Sequence, residues 1–219
     1  MPDAFWVNTT THPAMILWLF LINPFLSLFG PNPPARSLFD GRTFSGWEGD
    51  TTTTWRVETG ALVGGSTGRF TKNNDFLCTK QVYGNFELVA EVKLEGTGFV
   101  NAGIQFRSQR AKNPVHEMIG YQADMGGNYW GCLYDESRRN RVLAGPDSTS
   151  LRQIVKPNAW NEYRVRCEGP RIRLYLNGKL TTDYTETDLT LPQTGVIGLQ
   201  IHGGGNAQAS YRNITIRNL

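Results

Sequence analysis

From Ser37 onward the chain is a succession of short runs in which apolar and polar residues alternate, broken every few residues by Gly, Asn, Asp or Pro. No helical period holds for ten residues or more. A period of two places successive side chains on opposite faces, so each run reads as a strand with one dry and one wet face, and the series reads as antiparallel sheet rather than βαβ units. Phe86 to Leu94 shows the pattern plainly. Phe86, Leu88, Ala90, Val92 and Leu94 fall on one face, with Glu87, Glu91 and Lys93 on the other. Asn177-Gly178 sits between Arg171–Leu176 and Lys179–Tyr184, and this dipeptide tolerates the positive φ angles of a type I′ hairpin turn. The last strand is expected over Ser210–Arg217, with Tyr211, Asn213 and Thr215 opposed to Arg212, Ile214 and Ile216. The fold class is therefore all-β, a sandwich of two antiparallel sheets, and 219 residues suit one such domain.

Ahead of that domain, Met15 to Phe29 reads MILWLFLINPFLSLF, an uncharged apolar run followed by Gly30, Pro31 and Pro33. It is short for a stable membrane span and is interrupted by Asn23 and Pro24, so it resembles the apolar core of an export signal. Residues 1–35 are expected to be a leader and residues 36–219 a single exported domain, periplasmic or extracellular. Lys and Arg total 22 against 19 Asp and Glu, with no long same-sign run, which gives no ground for a nucleic-acid partner. Cys78, Cys132 and Cys167 are too few and too scattered for a disulfide framework or a zinc site, and read as buried apolar residues.

Three runs carry amides and ionisable groups where an ordinary wet face would carry Lys, Glu and Thr. Alternation groups Asn101 with Gln105 and Arg107, Gln122 with Asp124, and Gln200 with His202. If those strands are neighbours, their polar faces form one shelf of paired donors and acceptors, which suits sugar hydroxyls. Tyr121, Tyr129, Trp130 and Tyr134 are the aromatic residues near enough in sequence to stack on sugar rings. Trp47, Trp55 and Trp160 read as core, and Arg138-Arg139-Asn140-Arg141 as a solvated loop with local ion pairs.

Several blocks in series resemble the 3-keto-disaccharide hydrolase family, also called the 3-keto-glucoside 1,2-lyase and 3-keto-2-hydroxy-glucal hydratase domain. They are Ser37-Leu38-Phe39-Asp40-Gly41 through Ser45-Gly46-Trp47, Asn101 to Arg107, Gly120 to Asp124, Trp130 to Glu136, Trp160 to Tyr163, Leu176-Asn177-Gly178, and Gly198 to Gly204. The resemblance covers residues 37–219. It departs from the family at Ala102, where many members have Ser, and at Tyr121, where many have Glu. It implies a concanavalin A-like jelly-roll sandwich and a small carbohydrate substrate, a 3-keto-glucoside cleaved by β-elimination, hydration or both. His202 is then the base or a metal ligand, Asp124 a second proton carrier or metal ligand, and Arg107 a group holding the developing oxyanion. Asn101, Gln105, Gln122 and Gln200, with Tyr121, Trp130 and Tyr134, would bind substrate. A divalent metal ion bridging the C2 and C3 oxygens would lower the barrier further, and the residues neither demand nor exclude one. The E-x-D-x-x-E run of a retaining glucanase is not found. A non-catalytic carbohydrate-binding or interaction module is the alternative reading, because one fold serves both purposes.

Overall fold

A computed structural model describes Met1 and residues 33–219, and the apolar run Met15–Phe29 lies outside the described residues. Five strands precede the longest early one: β1 (Arg36–Ser37), β2 (Trp47–Glu48), β3 (Trp55–Glu58), β4 (Ala61–Gly65) and β5 (Asp75–Thr79). β6 (Phe86–Gly98), β7 (Ala102–Arg110), β8 (Met118–Met125), β9 (Leu133–Glu136) and β10 (Arg141–Ala144) follow. After a short helix, α1 (Ser148–Ile154), come β11 (Asn161–Glu168), β12 (Arg171–Leu176), β13 (Lys179–Thr185), β14 (Val196–Ile201) and β15 (Gly205–Asn218). The helix was not legible as a period because it is only seven residues long, and its start is set by Asp147, whose carboxylate accepts the N–H groups of Thr149 and Ser150.

The strands form two antiparallel sheets. One has the order β13-β12-β11-β6-β15-β4-β3, with β1 added against β15; the other runs β10-β9-β8-β7-β14-β5-β2. Each sheet turns its apolar face to the other. In β6, Phe86, Leu88, Ala90, Val92 and Leu94 are all buried, as their spacing predicts. The Asn177-Gly178 turn closes with Leu176 opposite Lys179, and both turn residues have positive φ, 49° and 78°. The expected alternation of β15 fails at one point. Asn213 has φ 51° within a register shift between Arg212 and Thr215, so Tyr211 shares the buried face with Ile214 and Ile216 instead of opposing them. Trp47 and Trp55 are core, whereas Trp160 is only half-buried and carries the Arg212 guanidinium 4.0 Å above its ring. The three cysteines are free and buried. Burial pushes Cys78 and Cys132 up to about 11 and Cys167 to about 12. Among the described residues no helix is long and apolar enough to cross a membrane.

Two tyrosines of the eight-stranded sheet reach through the core to the other sheet. Tyr211 is fully buried and its hydroxyl lies 2.6 Å from the Gln200 carbonyl, with the Gly103 carbonyl at 3.1 Å. Tyr163, stacked on Trp130 at 6.1 Å, donates to the Asp124 carbonyl at 2.5 Å and accepts the Gly131 N–H at 2.6 Å. Each bond removes a polar group from a desolvated setting, where leaving one unmet costs about 1–3 kcal/mol. Tyr163→Phe, which loses both a donor and an acceptor role, should lower stability by about 2 kcal/mol and Tyr211→Phe by about 1 kcal/mol. Urea unfolding checks this: the midpoints should fall in that order with unchanged slopes.

Candidate functional site

β8, β7 and β14 are consecutive in the seven-stranded sheet, so the three amide-bearing runs do lie side by side. Their registers set Gln105 opposite Gln122, and Gly103 opposite both Asp124 and Gln200. Gln105, Gln122, Asp124 and Gln200 therefore share the face turned away from the core, and all four are buried there. The amides are joined in series. Ser108 Oγ donates to Gln105 Oε1 at 2.7 Å, and Gln105 Nε2 donates to Gln122 Oε1 at 3.0 Å. Gly103 makes room for this arrangement, since a Cβ there would stand 2.4 Å from Cδ of Gln122. Gln200 differs from its neighbours. Neither polar atom of its side chain has a hydrogen-bond partner, although the residue is wholly buried. A buried amide without a protein partner calls for one from elsewhere, a water or a ligand.

Asp124 closes the row. Its Oδ1 accepts Asn101 Nδ2 at 3.0 Å and the Met125 N–H at 2.8 Å. Burial nevertheless outweighs both bonds and raises its carboxyl to about 7. Asn101 also accepts the His202 N–H on its main-chain oxygen, so one residue joins the aspartate to the histidine. His202 Nδ1 lies 2.6 Å from the Gly203 carbonyl. A carbonyl only accepts, so Nδ1 carries a proton, and in the neutral ring it is Nε2 that presents a lone pair. The ring is held edge-on against Phe99, with centroids 4.8 Å apart.

The sequence reading named Tyr134 for this site but missed Glu136 on the same strand, β9. Tyr134 pairs with Gln122 and Glu136 with Gly120, so both side chains stand beside the amide row. Glu136 is raised to about 7, by burial first and by the charge of Glu117 second. Tyr134 is raised as well, by burial and then by Glu136 and Asp124. The signal was present in the alternation of Tyr134-Asp135-Glu136, in which Asp135 alone turns inward to meet Arg138 and Arg139.

Three expected site residues are elsewhere. Arg107 adopts φ 47° at a register shift between Phe106 and Gln109, which breaks the alternation that grouped it with Gln105. Its guanidinium instead donates to the carbonyls of Gly84 and Gly169 and to Asn85 Oδ1. Tyr121 alternates with Gln122 and so faces inward, where it stacks on Phe106 and donates to Glu186 at 2.6 Å. Trp130 is buried with its ring stacked on Tyr163, and it lines a separate hollow with Leu151 and Val155 that no residue of the amide row reaches. Tyr129, by contrast, is exposed and lines a small hollow of about 260 Å3 with Asn101 and Phe99. A larger cleft of about 570 Å3 lies at the other end of the same strands, lined by Arg110, Arg138, Ile119 and Val196 among others, and is remote from Asp124.

Residues 34–217 match the model of the 3-keto-alpha-glucoside-1,2-lyase-like domain. The chain belongs to this family. Membership gives the lyase-like domain a carbohydrate-related function. No curated protein matches its sequence. Among solved structures it is similar to a Parabacteroides distasonis ATCC 8503 protein assigned as a glycosyl hydrolase, at 22% identity and TM-score 0.61 over 85% of this chain and 100% of that one. It is also similar to the carbohydrate-binding module CBM66 from Bacillus subtilis, at 18% identity and TM-score 0.59 over 79% and 96%. The exoplasmic/lumenal domain of VIP36, in its Ca2+/Man3GlcNAc-bound form, gives 12% identity and TM-score 0.58 over 81% and 85%. At these identities the likeness is one of fold, the jelly-roll sandwich that the lyase-like domain shares with enzymes and binding modules alike. Among its described residues no group of three or more His, Cys, Asp or Glu side chains is placed to hold a metal ion. Among the described residues the donor set forms no ready-made three-ligand cage for the divalent cation that the family resemblance allows.

Two outcomes follow from this geometry. Gly103→Ala should displace Gln122 and cost about 1–3 kcal/mol as an overpacked substitution, and Gln122→Ala in the same chain should restore most of the loss, as measured by urea unfolding of the double-mutant cycle. Asp124 and Glu136 ionise near 4 in an unfolded chain and near 7 when folded. The folded state therefore binds more protons between those values, and its stability falls as pH rises from about 4 to 7, levelling off above that. Asp124→Asn should remove about one proton from the slope of unfolding free energy against pH in that window.

Proposed function

We propose that the domain cleaves 3-keto-glucosides by β-elimination. The observation that carries this reading is Asp124, a buried carboxyl raised to about 7 at the end of a row of sugar-compatible amides. A proton carrier works best when its pKa lies near the working pH. A ketone at C3 makes the C2 proton acidic. A base removes that proton, the electron pair moves into an enediolate, and the C1–O bond then breaks. The departing alkoxide takes a proton from an acid, leaving a 2-hydroxy-3-keto-glucal, and addition of water across its double bond completes a net hydrolysis.

His202 Nε2, with its lone pair free, is the base in this scheme. Protonated Asp124 supplies the proton to the leaving oxygen, and Asn101 holds the two in relation. The amides of Gln105, Gln122 and Gln200 address the sugar hydroxyls and the oxygen on which charge develops, which is the larger electrostatic contribution expected in a dry site. Tyr134 offers a ring to the sugar, and Glu136 is a second carboxyl able to carry a proton near neutrality. The apolar run Met15–Phe29 supports export of the domain to a periplasmic or extracellular site.

The test is to incubate the purified full chain with methyl 3-keto-α-glucoside and with methyl α-glucoside, with and without chelator, following enone absorbance and methanol release. Turnover of the keto sugar alone, reduced about a hundredfold or more in Asp124→Asn and in His202→Ala, is the expected result. Sensitivity of the rate to chelator reports whether a divalent metal takes part. Binding of either sugar without turnover would replace this reading with a carbohydrate-binding module, the role that the similar Bacillus subtilis module carries in its name.

A further inference from the structure

The β7–β8 hairpin does not end in the plane of its sheet. β8 is separated from β5 by β7 and β14, three strand spacings or about 14 Å. Yet Met118, the first residue of β8, has its sulfur 3.7 Å from the Cys78 thiol on β5, and its methyl group lies over Gly198 on β14 beside Gln105. A methionine side chain spans well under half that distance. The hairpin end must therefore fold back across the outer face. Arg110, paired with Met118, agrees with this course, since its guanidinium donates to the carbonyls of Phe76 on β5 and Glu48 on β2. Beyond it the Ala111 N–H bonds Glu117 O, and Asn74 Nδ2 donates to both carboxylate oxygens of Glu117, at 3.0 and 3.1 Å.

The bend has a local cause. Arg107 stands at φ 47° in the register shift of β7, and Gly120 opposite it at φ 144°, where a Cβ would meet Ser108 Oγ at 2.3 Å. The folded end meets the amide row at Gly198 and Gln105, and Gln200, two residues further along β14, is wholly buried and unpartnered. We infer that residues 110–118 are a hinged strap over the binding face, latched to Asn74 by Glu117, and that a ligand reaches Gln105, Gln122 and Gln200 only when that latch parts.

The attachments of the strap suit such a motion. Its apolar anchor is a small cluster of Phe76, Cys78, Met118 and Val196 that is separate from the main core, so lifting it leaves the interior of the sandwich intact. The latch sits at the rim, with the Glu117 side chain 19% exposed, and Asn74 is itself fixed because its Oδ1 accepts the Gly203 N–H at 2.9 Å. The inference takes the amide row as the binding face, which rests on the proposed function, but its test needs no sugar.

Cys78 is buried against Met118 at the wall of the cleft of about 570 Å3, and Cys167 lies in the main core, so the wild-type chain carries its own reporters. Full-length protein is exposed to iodoacetamide and the alkylation of each cysteine followed by peptide mass spectrometry. Asn74→Asp keeps the acceptor for Gly203 while setting two carboxylates against each other, and Glu117→Ala removes the latch outright. Both should speed alkylation of Cys78 by about tenfold while Cys167 stays at its wild-type rate. Glu117→Gln, which still accepts from Asn74, should remain close to wild type. Cys78 alkylation that ignores both latch variants, or that tracks Cys167 in every chain, would overturn the strap. Failure to turn over a 3-keto-glucoside would not affect either result.

Discussion

Everything on the outer face of the seven-stranded sheet depends on hydroxyl groups that come from the other side of the core. Tyr163 and Tyr211 belong to the eight-stranded sheet, yet they bond the main chain at Asp124 and Gln200. These residues stand on β8 and β14, level with each other on either side of Gly103. Burial of large side chains fixes how closely two sheets approach, but it is not directional, and by itself lets one sheet slide over the other. A hydrogen bond has a short reach and a preferred angle, so these contacts convert a packed interior into a registered one. The carboxyl of Asp124 is thereby held in a dry position that its own sheet would not enforce.

The amide row shows how a polar face can be buried without being stabilising in itself. Gln105, Gln122 and Ser108 satisfy one another in a chain, and Asn101 satisfies Asp124. Gln200 is left out, and both carboxyls near the row ionise only at the expense of lost hydration. A surface selected for stability alone would not retain an idle amide and two disfavoured charges on one face. The same arrangement suits a polyhydroxylated ligand, whose groups both donate and accept and whose ring covers the row as it binds.

Alternation carried the sequence reading a long way, and where it failed the cause was local. The sheet face of Gln105, Gln122, Asp124 and Gln200 follows from a period of two once the strands are neighbours, and they are. Arg107 and the second half of β15 were misplaced for one reason: a single residue in a left-handed conformation inserts an extra step, after which every side chain changes sides. Phe106-Arg107-Ser108 does not announce that step, and Asn213 offers only asparagine's modest left-handed preference in place of the glycine that usually marks it. Tyr121 and Trp130 were misjudged differently. They are close to the row in sequence, but parity and stacking commit their rings to the core. Glu117 was beyond reach altogether, since its place depends on a hairpin leaving its own sheet.

The three buried thiols have a consequence for how this chain acquires its fold. With each cysteine enclosed and its thiolate suppressed by burial, the finished domain gives an oxidant little to attack. The unfolded chain has no such protection. In an oxidising medium, assembly of the sandwich therefore competes against wrong cross-links that the native state neither contains nor tolerates, and the many long-range pairings of the fifteen described strands make that a slow contest. Reductant would raise the yield of folding without changing the stability of what has folded.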